Sequence, residues 1–410
     1  MRKVVVTGFG VISSSGNDPE TMWKNISSGK SGIRYMDDPA FDESPVRIAG
    51  KVDDFLAETY FCAKDAKKYD KYIQFAVAAA LQAVEMSGLE GADWDPERAG
   101  VYVGSGIGGI ETIMKNHEAF LAKGARRVSP FMIPMMIVNM ASGVVAIRTG
   151  FKGANYAPVS ACATANNAIG EAFLSIAHGQ ADVMLAGGSD AGIQPFLLAG
   201  FSSMKALSTR NDVPEQASRP FDSGRDGFVM AEGAAVLLLE EEEHARRREA
   251  TILGEVVGYG ATCDAGHITS PDFLGGARAM EIAIRQSGAS VAEIGYINAH
   301  ATGTKEGDRS EAAAIRSVFG DSLETVKVSA TKSMTGHLFG AAGGIEAIIT
   351  LEALRCGLLP PTINLDALDA ECDIPHICNR AEQTSTCYAL SNSFGFGGHN
   401  ASLVFRKYEE

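Results

Sequence analysis

Short apolar runs rich in valine, isoleucine and leucine alternate along this chain with longer alanine-rich stretches. The runs at residues 101–103, 183–185, 236–239, 252–257, 296–298, 326–328 and 403–405 are predicted strands. Residues 75–86 and 343–354 have the apolar spacing of helices packed on a sheet. The runs are continuous rather than alternating in polarity, which indicates strands buried on both faces. The alternation predicts a layered α/β protein with a largely parallel sheet.

The same series of segments occurs twice along the chain. Residues 101–106, 159–162, 181–188 and 234–239 form the first series, and residues 296–300, 328–331, 388–391 and 401–405 form the second. We interpret this as an internal duplication, with one half at residues 1–250 and the other at residues 251–410. Strand ends from both halves can then face one shared site, and Cys162 lies at one of these ends.

Length and charge limit the classes of partner. With 410 residues the chain is long for one hydrophobic core, which agrees with two halves. Lys and Arg total 36 and Asp and Glu total 50, so the formal net charge is −14. Such a chain is not a broad binder of nucleic acid or of anionic membranes, and no run approaches the ~18 apolar residues of a membrane helix. A negatively charged partner would need a local basic patch.

Cysteine usage indicates a reducing compartment. The seven cysteines are an odd number without a C-x-x-C pair, and the eight histidines show no metal-ligand spacing. We therefore expect no disulfide framework and no metal site. The apolar run at residues 4–10 is short and contains glycine, so it is predicted to be a buried strand rather than a signal peptide. A cytoplasmic protein is the resulting expectation.

One glycine motif resembles a dinucleotide fingerprint without completing it. Residues 104–109 fit G-x-G-x-x-G after a strand, but the acidic residue expected about 20 positions later is missing. We interpret the motif as a tight loop near the active-site end of the sheet.

Three segments carry residue types suited to covalent catalysis. Cys162 follows an apolar run and opens a helix of small residues, where the helix dipole favours a thiolate, although a buried structural cysteine is the alternative. His300 follows a strand in a turn rich in Gly and Thr. Lys332 and His337 lie five residues apart at the second half's equivalent of the cysteine segment, and Glu346 lies fourteen residues after Lys332, suited to an ion pair. Residues 393–400 form a glycine loop with two phenylalanines, able to gate an apolar tunnel.

The order of these motifs closely resembles the β-ketoacyl-[acyl-carrier-protein] synthases, and among them the type II elongating enzymes of bacteria. The matching motifs are Val-Ser-Ala-Cys162-Ala-Thr, Asn-Ala-His300-x-Thr-x-Thr, Lys332-Ser-Met-Thr-Gly-His337 and Asn392-Ser-Phe-Gly-Phe-Gly-Gly398. The resemblance spans nearly the whole chain. It implies a thiolase-like fold, in which duplicated αβ halves form an αβαβα five-layer sandwich. It also implies a homodimer that acts on acyl carrier protein and needs no cofactor beyond the carrier's own phosphopantetheine.

The resemblance also implies a role for each motif residue. Cys162 would be the nucleophile, His300 and His337 would assist malonyl decarboxylation, and Lys332 would hold their protonation states. The N–H groups of Cys162 and Phe396 would form the oxyanion hole. Residues expected to bind substrate are Ile107, Phe201 and Phe396 at the acyl pocket and Thr302 and Thr304 at the phosphopantetheine arm.

Docking of an acidic carrier protein on this acidic chain requires a basic island. Lys64, Lys67 and Lys68 are spaced for one face of a helix, and Arg126 and Arg127 precede residues 128–130. In the family these positions flank the tunnel entrance, so all five are predicted docking residues; scattered surface lysines are the alternative.

Further residues bear on the branch of the family. His337 stands where chain-initiating relatives and plant-type polyketide synthases carry Asn, and Cys162 is absent from non-catalytic chain-length factors. The departures Ala165, Ala301 and His399 leave every reacting group in place but leave acyl-chain preference open. The prediction is fatty acid elongation by decarboxylative Claisen condensation. A discrete polyketide ketosynthase and a catalytically silent subunit stay as alternatives.

Overall fold

The computed structural model describes residues 1–409. Within that range ten strands form the main sheet, numbered here in chain order. They are β1 (Val4–Ser13), β2 (Ala99–Gly104), β3 (Asn155–Tyr156), β4 (Val183–Asp190), β5 (Gly233–Glu241), β6 (Gly254–Cys263), β7 (Ile294–Asn298), β8 (Lys327–Ser329), β9 (Tyr388–Gly395) and β10 (His399–Arg406). Two small ribbons pair Arg34–Tyr35 with Ile48–Ala49 and Leu358–Leu359 with Glu382–Gln383.

The strand order is the same in both halves. Neighbouring strands follow the order β3-β2-β4-β5-β1 in the first half and β8-β7-β9-β10-β6 in the second. The two five-stranded units meet where Val4–Val6 of β1 pairs antiparallel with residues 254–256 of β6. The chain therefore contains one five-stranded unit twice. The boundary between the halves at residue 250 stays a prediction.

Thirteen α-helices lie within the described residues. They are α1 (Pro19–Ser27), α2 (Ala63–Ala66), α3 (Lys71–Ser87), α4 (Ile110–Lys123), α5 (Met132–Met136), α6 (Met140–Thr149), α7 (Thr164–Ala177), α8 (Pro195–Ser203), α9 (Glu242–Arg247), α10 (Phe273–Ser287), α11 (Lys305–Phe319), α12 (Lys332–Thr335) and α13 (Ala342–Cys356). In that range, no helix has both the length and the apolar character needed to cross a membrane.

The helices form three layers around the two five-stranded units. Helices α7 and α13 pack against each other and contact strands from both halves, so they form the central layer. Helices α3 and α6 cover the outer face of the first unit, and α10 and α11 cover the outer face of the second. The predicted αβαβα five-layer arrangement is confirmed.

Burial explains why α7 and α13 take the central position. Residues 342–354 of α13 are all buried, and most of α7 is buried as well, so neither helix keeps a polar face for solvent. Apolar side chains of both halves form one core around these helices. A helix without a polar face is stable only between other layers.

The sheet is mixed, so the prediction of a largely parallel sheet is wrong. The pairs β2/β3, β2/β4, β7/β8 and β7/β9 are parallel, and the other pairs are antiparallel. The loop from Gly395 to His399 is too short for a crossover, which forces β9 and β10 into a hairpin. Strand β6 also begins at Gly254, two residues later than predicted.

Candidate functional site

Cys162 lies in a short turn at the point where the two halves meet. The turn spans Ala161–Ala163, directly before helix α7, and we call it the cysteine turn. Ala161 has a φ of +50°, a left-handed conformation that costs free energy in a residue with a Cβ atom. This strained backbone directs the thiol away from the central helix and into a cavity.

The structure brings both predicted histidines to the thiol. The Nε2 atom of His337 lies 3.0 Å from Cys162 Sγ. The rings of His300 and His337 are nearly perpendicular, with centroids 5.4 Å apart. One donor atom from each of the three side chains lies within 4.8 Å of the other two. The second half therefore supplies two imidazoles to a thiol carried by the first.

A cavity of about 640 Å³ surrounds this group. All five predicted substrate-binding residues line it: Ile107, Phe201, Thr302, Thr304 and Phe396. The hydroxyl oxygens of Thr302 and Thr304 lie 3.1 Å apart, so they form a small polar site in a largely apolar cavity. The cavity thus combines an apolar volume with polar groups near the thiol, as acyl-binding sites require.

Burial dominates the protonation state of the thiol. It raises the pKa of Cys162 to about 12, although Lys332 and the N–H groups of Phe396 and Cys162 favour the thiolate. The expectation from sequence, that a helix N-terminus favours a thiolate, is therefore outweighed in the resting protein. The N–H groups of Cys162 and Phe396 converge on Sγ, the arrangement expected of an oxyanion hole.

Both histidines are neutral for the same physical reason. Burial, followed by the charge of Lys332, lowers the pKa of His300 and of His337 well below the usual value. Nδ1 of each ring is buried with no hydrogen-bond partner among residues 1–409. An unpaired buried N–H group is costly, which favours the tautomer with the proton on Nε2, facing the cavity. Each ring can then donate one hydrogen bond to a substrate oxygen.

Buried acidic groups hold the second half's residues in place. Lys332 and Glu346 are both buried and form an ion pair, as the sequence predicted. Burial raises the pKa of Glu346 to about 7, and Lys332 opposes that shift. The Glu311 carboxylate accepts hydrogen bonds from the backbone N–H groups of His300 and Ala301, at 2.9 and 2.7 Å. Glu311 thereby positions the His300 segment.

The phenylalanine loop is tied to a neighbouring segment. Gly397 N donates to Ile268 O at 2.7 Å, and Asp264 N donates to Gly398 O at 3.0 Å. Phe396, between these contacts and the thiol, remains 40% exposed. Movement of this loop would therefore involve residues 264–268 as well.

The predicted docking residues lie on the surface, but in a different local structure. Helix α2 ends at Ala66, so Lys67 and Lys68 lie in the following turn, and the prediction of one helical face is wrong. The chain turns there because Asp70 caps the next helix, α3. Lys64, Lys67, Arg126 and Arg127 are exposed, whereas Lys68 is paired with Asp65 at 2.6 Å.

Several residues at the site were missed from the sequence. The rings of Phe228 and Phe339 lie 5.5 and 5.3 Å from that of His337 and help to line the cavity. Exposed Lys205 also lines the cavity, which makes it a basic group at the entrance. Phe228 reaches His337 from a distant part of the chain, which no local pattern marks. Phe339 lies only two residues after His337, so its nearness in the sequence was a signal that could have found it.

The thiol and the two imidazoles could also hold a metal ion. Sulfur and nitrogen donors within 4.8 Å of one another, on Cys162, His300 and His337, are suited to a cation such as Zn²⁺. The charge of Lys332 opposes such binding, since it acts on both imidazoles. The sequence prediction of no metal site stays a prediction.

Comparison with known proteins places the chain among similar sequences. Profiles described as the N-terminal and C-terminal domains of β-ketoacyl synthase match residues 1–245 and 253–366. A 3-oxoacyl-[acyl-carrier-protein] synthase 2 of Staphylococcus aureus (strain N315) is 47% identical over 410 residues, covering 100% of this chain and 99% of the relative. The protein of the same name in Vibrio cholerae serotype O1 is 48% identical over 412 residues, covering 99% of both.

A solved structure is similar in fold as well as in sequence. It contains a type II PKS acyl-carrier protein in complex with its ketosynthase bound to the hexaketide. It matches with a TM-score of 0.91 and 32% identity, covering 99% of this chain and 100% of that chain.

Proposed function

Because the chain belongs to the β-ketoacyl synthase family, we propose that it is a 3-oxoacyl-[acyl-carrier-protein] synthase of fatty acid elongation. Full-length relatives at 47% and 48% identity carry that name. The observation that carries the proposal is the meeting of Cys162, His300 and His337 in one apolar cavity. Covalent catalysis with two hydrogen-bond donors suits an acyl transfer followed by a condensation.

In the first step, Cys162 takes the acyl chain from the carrier. Its sulfur forms a bond to the thioester carbon, and the bond from that carbon to the phosphopantetheine sulfur breaks. The proton of the Cys162 thiol leaves with the phosphopantetheine thiol. His337 Nε2–H, 3.0 Å from Sγ, stabilises the attacking sulfur. The N–H groups of Cys162 and Phe396 stabilise the oxyanion of the tetrahedral intermediate.

In the second step, malonyl-carrier thioester supplies the nucleophile. Its carboxylate leaves as CO₂, and the electron pair of the broken bond forms an enolate. Nε2–H of His300 and of His337 donates to the enolate oxygen, where charge develops. The enolate carbon attacks the acyl-Cys162 carbonyl, and the Cys162 sulfur leaves and takes up a proton from water. The product is a 3-oxoacyl-carrier thioester two carbons longer than the acyl chain.

Lys332 acts on this chemistry through its charge. It lowers the pKa of both imidazoles, which keeps them neutral donors rather than cations. Glu346 compensates its charge within the core. Lys332 is therefore proposed as a positioning residue for protonation states.

Acyl carrier protein is the proposed partner. The ketosynthase of a similar structure is in complex with an acyl-carrier protein. On this chain, exposed Lys64, Lys67, Arg126 and Arg127, together with Lys68, are the proposed docking residues, and Lys205 adds a basic group at the cavity entrance. No cofactor is needed for the proposed chemistry, because phosphopantetheine arrives on the carrier.

Charge reversal tests this docking proposal. We expect Arg127→Glu and Lys64→Glu each to raise KM for acyl carrier protein about three- to fivefold at low salt, less at high salt. Lys407→Glu is the matched control, because Lys407 is exposed one residue beyond β10, about 25 Å along that strand from the loop at Phe396. An unchanged KM in the first two variants would refute these docking residues.

We also propose a homodimer formed at the β3 edge of the sheet. Strand β3 ends the strand order and leaves its backbone groups unpaired on one side. Ile147, Val159 and Tyr156 around it are 74%, 57% and 45% exposed. A second copy that pairs along β3 would cover them. Sedimentation equilibrium tests this, since Ile147→Asp with Val159→Asp should yield monomers; a persisting dimer would contradict this interface.

The central experiment follows both steps separately. Purified protein is supplied with acyl-carrier protein and radiolabelled malonyl-carrier protein, and the adduct, CO₂ and product are measured. We expect Cys162→Ala to lose the acyl adduct and to lower condensation at least about 10⁴-fold. Cys387→Ala, at the opposite end of β9 from the site, is the control thiol variant. Condensation that persists in Cys162→Ala would refute the mechanism.

A His300→Ala variant separates the two steps. It should still form the acyl adduct but lower CO₂ release about 10²- to 10³-fold, because one donor to the enolate is lost. A product series longer than one condensation would favour the polyketide alternative, and a protein without product would favour a silent subunit.

We also propose a cytoplasmic location. All seven cysteines are unpaired, which is typical of proteins in a reducing compartment.

A further inference from the structure

Asp190 is a buried carboxylate that the proposed chemistry does not use. It is the last residue of β4, and its side chain is fully buried. It lies behind the cavity wall, next to two segments that form that wall. A buried carboxylate is costly, so its contacts need an explanation.

Four hydrogen bonds converge on this carboxylate. Its Oδ1 atom accepts from Ser105 Oγ at 2.5 Å and from Ile107 N at 3.0 Å. Its Oδ2 atom accepts from Gly106 N at 3.0 Å and from Gly340 N at 2.7 Å. All four donors are uncharged groups, and three belong to the backbone. Asp190 therefore binds backbone segments rather than a cation.

The two segments come from different halves of the chain. Residues 105–108, which we call the Ile107 loop, belong to the first half and correspond to the incomplete dinucleotide motif. The Phe339–Ala341 turn, which we call the glycine turn, belongs to the second half and precedes α13. Asp190 is the single carboxylate among residues 1–409 that accepts from both segments.

Both segments present an apolar side chain to the cavity. Ile107 and Phe339 line it, and the Phe339 ring stacks on Phe201 with centroids 5.3 Å apart. Phe339 has a φ of +51°, a left-handed conformation that needs support from neighbours. The hydrogen bond from Gly340 N to Asp190 supplies support at the next residue.

From this arrangement we infer that Asp190 is a specificity-determining positioning residue, which sets the acyl-length preference by fixing the spacing between the Ile107 loop and the glycine turn. The inference rests on the proposed function, since it concerns the same cavity. Rigid walls limit the chain that fits, because small changes of an apolar cavity discriminate between chains that differ by one or two methylenes. Asp190 touches the walls and not the acyl chain.

Asp190→Asn tests the inference with little change of volume. If the amide oxygen keeps Gly106 N and Gly340 N, the amide N–H₂ group faces Ser105 Oγ and Ile107 N. Ile107 N then loses its 3.0 Å contact to Asp190 and keeps only the longer one to Ser105 Oγ, at 3.3 Å. The Ile107 loop should loosen. We expect kcat/KM for long acyl-carrier substrates, relative to short ones, to rise about tenfold.

The ratio of kcat/KM between long and short acyl chains also removes an effect of the variant that does not depend on chain length. The charge of Asp190 also raises the pKa of Cys162, so its removal will change acylation by every substrate. That change cancels in the ratio. Acyl-Cys162 adducts from a series of chain lengths, measured by mass spectrometry, provide the same ratio without the condensation step.

Two further variants keep the test decisive. Ser105→Ala removes one donor to Asp190 and also the acceptor of Gly108 N, at 2.8 Å within the same loop. It should therefore loosen the Ile107 loop and shift the ratio in the same direction, even if Asp190→Asn fails to fold. Glu240→Gln is the control, because it alters another buried carboxylate far from the cavity. Asp190 pairs with Gly233 at the start of β5, whereas Glu240 lies near the end of that strand, about 20 Å away. This variant should leave the ratio unchanged.

The outcomes separate the inference from the proposed function. An unchanged ratio in Ser105→Ala and in folded Asp190→Asn, or an equal shift in Glu240→Gln, would overturn the inference while leaving the condensing activity established. Absence of condensation by the unaltered protein with every chain length would overturn the proposed function, and the inference with it.

Discussion

The cysteine turn of the first half and the glycine turn of the second occupy the same place in the duplicated fold. Each is a three-residue turn directly before a central helix, and their first residues, Ala161 and Phe339, have φ values of +50° and +51°. The middle residues are Cys162 and Gly340. Their surroundings differ in the residue that the opposite half supplies.

The difference lies at the ends of β9 and β4. Gly395 ends β9 and has no side chain; a Cβ atom there would lie 3.0 Å from Cys162 N. Asp190 ends β4, and its carboxylate accepts a hydrogen bond from Gly340 N. One turn therefore leaves its N–H group open, as the proposed oxyanion hole requires, and the other has its N–H group bound by a carboxylate of the protein itself.

The turns also differ in the segment that leads to them. Strand β8 ends at Ser329 and the glycine turn begins at Phe339, whereas β3 ends at Tyr156 and the cysteine turn begins at Ala161. The longer segment of the second half carries Lys332 and His337. Equivalent turns of the two halves therefore differ in what surrounds them, and the proposed mechanism makes one of them reactive and the other supporting.

The largest expected effect comes from making the two turns alike. Gly395→Asp would place a carboxylate beside Cys162 N, as Asp190 does beside Gly340 N. We expect acyl-adduct formation to fall about 10³-fold, because the oxyanion hole would be occupied and an anion would face the attacking sulfur. Single-turnover acylation measures it, with circular dichroism as the control for folding. Full activity in the folded variant would contradict the open-turn interpretation.

The next effect concerns the longer segment of the second half. Lys332→Met leaves Glu346 buried without its partner, so we expect a loss of about 3 to 5 kcal/mol in the free energy of unfolding. Lys332→Met combined with Glu346→Gln should recover most of that stability. It should not recover CO₂ release, because the charge that holds both imidazoles neutral is gone. Recovery of activity in the double variant would show that Lys332 is purely structural.

The Asp190 carboxylate bound to the glycine turn predicts a pH effect of similar or smaller size. Burial raises the pKa of Asp190 from 3.8 to about 6, which corresponds to about 3 kcal/mol. Since this pKa is raised in the folded state, its contribution to stability is present below pH 4 and is lost as pH rises through 6. The difference in the free energy of unfolding between the unaltered protein and Asp190→Asn should therefore change between pH 4 and pH 7, with the unaltered protein losing stability relative to the variant as pH rises. A constant difference would refute the assignment.

The smallest expected effect comes from filling the supporting turn. In Gly340→Ala, the new Cβ atom would lie 2.5 Å from Gly106 N, so a small backbone shift is required. We expect a loss of about 1 to 3 kcal/mol in stability, measured by denaturation, with acyl-adduct formation by a short chain retained. Loss of that adduct in a folded variant would show that the two turns are not separable.

Much of the site was predictable because it consists of short local motifs. The segments around Cys162, His300, Lys332 and His337 each place a reactive group after a strand or in a turn, and their order identified the family. Glu311 and Asp190 were missed for a physical reason. Asp190 accepts from residues 85 and 150 positions away in the chain, and no local pattern encodes such contacts.

Predictions from short segments were wrong where residues outside those segments have the larger effect. The helix dipole predicted a thiolate at Cys162, but burial raises the pKa to about 12. The spacing of Lys64, Lys67 and Lys68 predicted one helical face, but the helix ends at Ala66. The alternation of strands and helices predicted a largely parallel sheet, but the sheet is mixed.

The residue pattern was therefore enough to predict a duplicated α/β chain and, through the family resemblance, its candidate reactive groups, because alternation, motif order and residue chemistry are properties of short segments. Tertiary structure alone showed that two equivalent turns have different contacts at their middle N–H groups. Whether a backbone N–H group is open or filled depends on the residue that the opposite half places over it, Gly395 in one case and Asp190 in the other. Those contacts exist only when the two halves are packed together.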